Sequence, residues 1–186
     1  MPLRILLRPQ ALLQVFSTGV LAALLLIVTP AQAAESDAAQ KLWMGGKRAE
    51  AVAMLEESLR KTPNDLELRF ALGVMRMELG ELSAAATLFT QLSQDFPDLA
   101  DPLNNLAVIH AAQGQLDLAQ AELTQALALQ PAHAQALENL GDVLLRQAER
   151  AYQRALKAQV APQASTQAKL KQAQALLRQL DAAKAP

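Results

Sequence analysis

Few side chains in this chain could carry out chemistry, and their spacing favours recognition over catalysis. No cysteine occurs among the 186 residues. That excludes disulfides, thiol nucleophiles, thiolate zinc sites and acylation at an N-terminal cysteine. His110 and His133 are the only histidines, whereas a metal centre needs several convergent ligands. His110 also shares its place in the pattern described below with Leu42 and Leu144, so packing is the expected role. No glycine-rich phosphate loop, nucleophile elbow or pair of catalytic carboxylates is present, and no cofactor is implied. What does recur is an amide: Asn105 and Asn139 are separated by the same interval that governs the rest of the chain. A carboxamide donates and accepts hydrogen bonds together, as contact with an extended peptide backbone requires. The competing role is a structural bond to a neighbouring helix or turn.

That interval is written in several residue types at once. Pro63, Pro97 and Pro131 align on it, as do Gly46, Gly80 and Gly114, each glycine half an interval before a proline. Ala51, Ala85 and Ala119 follow suit, then Leu55, Phe89 and Leu123. Leu72, Leu106 and Leu140 also align, each followed by a small residue (Gly73, Ala107, Gly141). A period of about 34 residues marks a solenoid rather than one sheet or bundle. Hydrophobic residues make up 52% and aromatics only 3%, so the core must be Leu and Ala, both strong helix formers.

The punctuation predicts helix pairs. Glu35 to Met44 and Lys47 to Lys61 form the first, separated by Gly45-Gly46, where glycine permits reversal. Leu66 to Leu79 and Leu82 to Asp95 form the second, broken at Gly80. In the third, Asp101 caps a helix with Pro102 at its first turn. That helix runs to Gln113, and Leu116 to Leu129 returns after Gly114. Each proline sits between pairs, where it cannot prolong the preceding helix.

These residues resemble a tetratricopeptide repeat protein. Leu72-Gly73, Ala85, Phe89 and Pro97 carry the likeness in one unit; Leu106-Ala107, Ala119, Leu123, Ala126 and Pro131 carry it in the next. The first unit keeps Gly46, Ala51, Leu55 and Pro63 but lacks a large residue early in its first helix. The resemblance implies an all-α fold, an α-solenoid of antiparallel helix pairs whose first helices line a concave face. It nominates Phe70, Val74, Met77, Asn104, Asn105, Val108, Glu138, Asn139, Asp142 and Leu145 as a peptide-binding groove. Some members clamp a C-terminal carboxylate with asparagines beside lysines and arginines. Here Glu67, Asp101 and Gln135 stand where such basic partners are expected, which argues against that clamp.

The fourth unit departs from the pattern. Leu137, Leu140 and Gly141 match a first helix, and Ala148, Tyr152 and Ala155 a second, but the sets lie five residues too close. Nothing from Asp142 to Val160 breaks a helix, so one continuous helix from about Ala134 to about Ala158 is expected, with a tight non-glycine turn near Gln147 as the alternative. Tyr152 and Leu156 would then need cover from the last helix or a second subunit, which leaves a homodimer open. After Pro162, Ser165 or Thr166 caps a final helix to about Ala183. Leu170, Ala173, Leu176, Leu177 and Leu180 line one face of it, as a solenoid's capping helix requires.

Charge divides along the chain. Pro63 to Leu145 holds two basic and eleven acidic residues, whereas Arg146 to Pro186 holds eight basic and two acidic. Part of this is solvated surface and helix-terminal bias; the functional reading is an acidic face for a basic partner segment. The acidic middle argues against nucleic acid. At the N-terminus, Arg4 and Arg8 precede an apolar run from Val15 to Val28. Pro30 and then Ala31-Gln32-Ala33, a small-x-small cleavage signature, follow. A signal peptide cut between Ala33 and Ala34 is expected. Its rival is an uncleaved inner-membrane anchor over Ala11 to Val28, short of the roughly 20 residues that span a bilayer.

The expected organisation is a signal peptide over 1–33 and a repeat array over 34–161. Its units are about 34–65, 66–99, 100–133 and a shortened 134–161, followed by a capping helix over 162–186. The expected function is a non-catalytic periplasmic adaptor or scaffold that binds a protein or peptide of basic character and assists assembly of an envelope complex. A self-associating structural oligomer, or an anchored assembly factor, is the alternative. Membrane contact is expected only through an uncleaved N-terminus.

Overall fold

The computed structural model describes residues 30–158 and 163–183. The apolar N-terminal run and Pro162 lie outside them. Among the described residues there are eight helices and no strand: α1 (Pro30–Met44), α2 (Arg48–Lys61), α3 (Leu66–Glu78), α4 (Leu82–Asp95), α5 (Ala100–Ala112), α6 (Leu116–Leu129), α7 (Ala134–Ala158) and α8 (Ala164–Ala183). None is long and apolar enough to cross a membrane.

Two kinds of turn alternate, and the aligned glycines and prolines specify them. Gly46, Gly80 and Gly114 have φ of 77°, 78° and 77°, a left-handed conformation that side chains with a Cβ resist. The following residue closes each turn back onto the helix: Lys47 N–H donates to Leu42 O at 2.9 Å, and Gln115 N–H to His110 O at 2.8 Å. This is a glycine-terminated helix end that satisfies carbonyls otherwise left bare. The proline links are four-residue turns. Asp65 N–H reaches Thr62 O (3.2 Å), Leu99 N–H reaches Phe96 O (3.2 Å), and His133 N–H reaches Gln130 O (3.1 Å). Proline is second in each, where its fixed φ suits the turn.

Three antiparallel pairs result, α1–α2, α3–α4 and α5–α6, each packed on the next, with α7 following α6. The first helices also touch directly, α1 to α3 and α5 to α7, forming one face of the stack. Packing sets large against small. Phe89 is fully buried, and a Cβ on Gly73 would lie 2.8 Å from its ring. In the next unit Ala107 replaces the glycine and Leu123 the phenylalanine, and both are buried. Polar ties cross between helices: Trp43 Nε1 donates to Glu78 Oε2 at 3.0 Å, and buried Arg69 pairs with Asp95 at 2.7 Å.

Several helix starts differ from expectation. α1 begins at Pro30, so the expected cleavage point falls within it. α5 begins at Ala100 with Leu99 at the cap position, so Asp101 does not cap it. The true caps occupy the place of Leu99 in the neighbouring units, one repeat to either side. Asp65 accepts from Leu68 N–H at 2.9 Å, and His133 Nδ1 accepts from Ala136 N–H at 3.3 Å. α8 begins at Ala164, before Ser165 and Thr166.

α7 is one unbroken helix of 25 residues, as the lack of a breaker predicts. α8 runs back along its distal half, antiparallel, tied by Arg146–Asp181 at 2.6 Å and Gln174–Glu149 at 3.2 Å. Tyr152 and Leu156 are half-buried there. Of the apolar face predicted for α8, Ala173 and Leu177 are buried and Leu170 and Leu180 half-buried, but Leu176 is exposed.

Candidate functional site

The face built by α1, α3, α5 and α7 holds two clefts. The larger, about 560 Å³, opens between α1, α3 and α5. Ser36 and Gln40 form its α1 wall; Phe70 and Val74 lie on the α3 side and Pro102 on the α5 side. The Phe70 ring stands edge-on to buried Phe89, with centroids 5.5 Å apart and planes at 71°, which holds the floor in place. Leu66, Ala71, Leu99, Glu67 and Asp101 complete the lining, and no lysine, arginine or histidine among the described residues joins them. The Asp101 carboxylate lies 3.0 Å from His133 Nε2.

The smaller cleft, about 330 Å³, lies between α5, α6 and α7 and includes Val108, Ala111, Leu123, Asn139, Asp142 and Arg146 in its lining. It carries both signs of charge.

The nominated groove residues therefore divide. Phe70 and Val74 line the first cleft; Val108, Asn139 and Asp142 line the second. Met77 packs against the core around Phe89. Glu138 is exposed and Leu145 half-buried, and neither lines a cleft. Asn104 is 4% exposed and accepts a 2.9 Å bond from Asn139 Nδ2, joining α5 to α7. Asn105 turns back along its own helix and donates to Asp101 O at 2.9 Å.

Ser36, Gln40 and Arg146 escaped the sequence reading, although the period contains them. Ser36 stands one repeat before Phe70, Gln40 one repeat before Val74, and Arg146 one repeat after Ala112. The weak match of the first unit hid the first two.

Neither histidine stands among convergent ligands: no group of three or more His, Cys, Asp or Glu gathers among the described residues. His110 Nδ1 lies 2.8 Å from Glu122 Oε2, between α5 and α6. Burial pushes the Glu122 carboxyl above its ordinary range, and the hydrogen bond from His110 partly opposes this. Trp43 is buried with the Arg48 guanidinium 5.3 Å from its ring centroid, a packing role.

Comparisons place this architecture among known proteins. Residues 42–106 match one family model of the tetratricopeptide repeat, and residues 104–147 match another. The fold is similar to the first tetratricopeptide domain of Spaghetti (RPAP3) bound to the HSP90 peptide SRMEEVD. There the TM-score is 0.58 at 16% identity, over 62% of this chain and 92% of that one. It is also similar to the second such domain of human RPAP3, in complex with the HSP70 peptide SGPTIEEVD. That TM-score is 0.54 at 16% identity, over 59% and 92%. YrrB, a tetratricopeptide protein with an unusual peptide-binding site, matches at TM-score 0.53 and 26% identity. The match covers 56% of this chain and 54% of YrrB. Comparison with curated protein sequences finds no match.

Proposed function

Because the chain is a tetratricopeptide repeat protein, we propose that it works as a non-catalytic adaptor, holding a segment of another protein on the face built by α1, α3, α5 and α7. The family's fold is a protein-interaction module, and the RPAP3 domains are bound to peptides. The observation that carries the reading is the cleft between α1, α3 and α5. It is large enough for a side chain or two and is edged by Glu67 and Asp101. Both RPAP3 peptides end in Glu-Glu-Val-Asp, and such acidic ends would meet like charge here. A partner of basic character is the complementary choice.

The proposed setting is the periplasm, and the proposed task is assembly of an envelope complex. Arg4, Arg8, the apolar run to Val28 and Ala31-Gln32-Ala33 support export by a cleaved signal. Mass spectrometry of the exported protein should find Ala34 at the N-terminus; an intact Met1 on membrane-bound protein would mean an anchored factor instead. The adaptor reading is tested by capture from an envelope extract with wild type and a Val74→Asp variant. A partner that the variant loses, and that elutes as salt rises, is the expected result. Equal capture by both would remove the groove from the account.

A second reading has its own support. Leu137 and Leu144 are 50% and 44% exposed, and nothing stands within 4 Å of a Cβ built on Gly141. Leu137 and Leu144 could meet a second copy, making a structural oligomer. Light scattering across a concentration series separates the two: a constant monomer mass rules out the oligomer.

A further inference from the structure

The two clefts differ in a way that specifies a ligand for one of them. The lining of the α5–α7 cleft holds both Asp142 and Arg146, and Arg146 is already bonded to Asp181. The α1–α3–α5 cleft has only carboxylates as charged groups. Glu67 and Asp101 are one repeat apart, each in the first turn of its helix, so adjacent repeats present an acid at the same place. The same lining holds the partly buried Leu66, Phe70, Val74 and Leu99. Glu67 makes no hydrogen bond or ion pair among the described residues, and the Asp101 carboxylate is held only by the His133 ring at 3.0 Å.

Such a site is chemically two-part. The apolar floor gains most from a large aliphatic or aromatic side chain that it can dehydrate. Such a residue alone would leave the carboxylates unmatched, and a cation alone would leave the floor wet. Ser36 and Gln40 on the α1 wall offer a hydroxyl and an amide to a peptide backbone.

We infer that this cleft reads a short extended segment of a partner protein in which a large apolar residue lies within two positions of a lysine or arginine. The inference rests on the adaptor reading and narrows it: the apolar side chain enters between Phe70, Val74 and Leu99, which are only half-buried, and the cation settles against Glu67 and Asp101. Lysine and arginine suit the edge because their stems lie on apolar surface while their heads stay in water.

The test is selection of random heptapeptides displayed on phage against the immobilised protein, followed by affinity measurement on synthetic copies. Enriched peptides should pair Leu, Ile, Met or Phe with Lys or Arg. Glu67→Lys should weaken them by about tenfold or more and Glu67→Gln by about threefold, with less difference at high salt. Val74→Trp, which fills the cleft, should abolish binding, with helicity by circular dichroism confirming that it folds. Should that variant unfold, the two Glu67 variants still decide, since Glu67 is outside the core. Enrichment of acidic peptides, or affinities indifferent to Glu67→Lys, would overturn the inference. If binding is instead lost on changing Val108, the adaptor reading survives and this site falls. If peptides are displaced by raising the concentration of the protein itself, the occupant is a second copy and the inference also fails. No enrichment, together with no capture from the envelope, would defeat both.

Discussion

Gly73 and Gly141 occupy the same place in units two repeats apart, and they have opposite surroundings. A Cβ at Gly73 would strike the Phe89 ring at 2.8 Å; one at Gly141 would meet nothing within 4 Å. The difference lies in the facing helix. α4 returns across α3 after Gly80, whereas no glycine turn interrupts α7, which continues straight to Ala158. The fourth unit keeps the small residue of a helix contact without supplying that helix among the described residues. A repeat position thus has a packing meaning only when its partner element is present. The middle of the array is a closed core with a cleft on one face; the C-terminal unit leaves the strip of Leu137 and Leu144 exposed on the first half of α7, while α8 packs on its second half.

The largest predicted contrast breaks that core. Phe89→Ala removes the fully buried ring opposite Gly73 and should lower stability by about 3–5 kcal/mol in urea unfolding. Leu144→Ala, at the open end, should stay within about 0.5 kcal/mol. A large loss at Leu144 would mean that the strip is covered in solution, and would favour the oligomer.

Smaller but sharper is a reversal of sign. Gly73→Ala overpacks against Phe89 and should cost about 1–3 kcal/mol. Gly141→Ala enters open space on a helix and should stabilise by about 0.5–1 kcal/mol through helix propensity. Thermal unfolding of the two variants should move in opposite directions; parallel shifts would contradict the contrast.

The asparagines divide in the same way. Asn139→Ala takes the donor from the buried Asn104 carbonyl oxygen and should cost about 1–3 kcal/mol. Asn105→Ala, which loses only a bond to its own helix, should be nearly neutral. Chemical unfolding of both checks this.

The smallest expected effect is pH-dependent. Burial raises the Glu122 carboxyl, so its protonated form suits the fold better than its charged form. That contribution is complete below the ordinary carboxylate range and is lost as pH rises through the raised value. Glu122→Gln, neutral at every pH, should therefore gain on wild type as pH rises from the ordinary carboxylate range through that value. Melting temperatures of both across the acid range are the check; parallel curves would contradict it.

Much of the fold was legible because its turns are written in single residues. A glycine at positive φ and a proline at the second place of a turn leave a mark at a fixed interval, and the interval names the architecture. The unbroken α7 could be read for the same reason, from the absence of such a mark. Caps were less legible. Asp101-Pro102 looked like a helix start, but the chain had already turned at Leu99, and a histidine performs the equivalent task for α7. The candidate site was half legible. Repeat position put Phe70, Val74, Val108, Asn139 and Asp142 along the two clefts, but two neighbouring positions on a helix differ by about 100°. Only the packed structure shows that Asn104 faces Asn139 while Asn105 does not. The partnership of Glu67 with Phe70 and Val74 was also hidden, because the charge count treats acids as surface and the apolar count treats the others as core.

The cleft between α1, α3 and α5 is proposed as the working surface, with the C-terminal strip idle. A photo-crosslinking amino acid placed at Val74 in one variant and at Leu144 in another, irradiated in growing cells, tests this most directly. The predicted result is an adduct with another protein from position 74 and none from position 144. An adduct from 144 alone would contradict it.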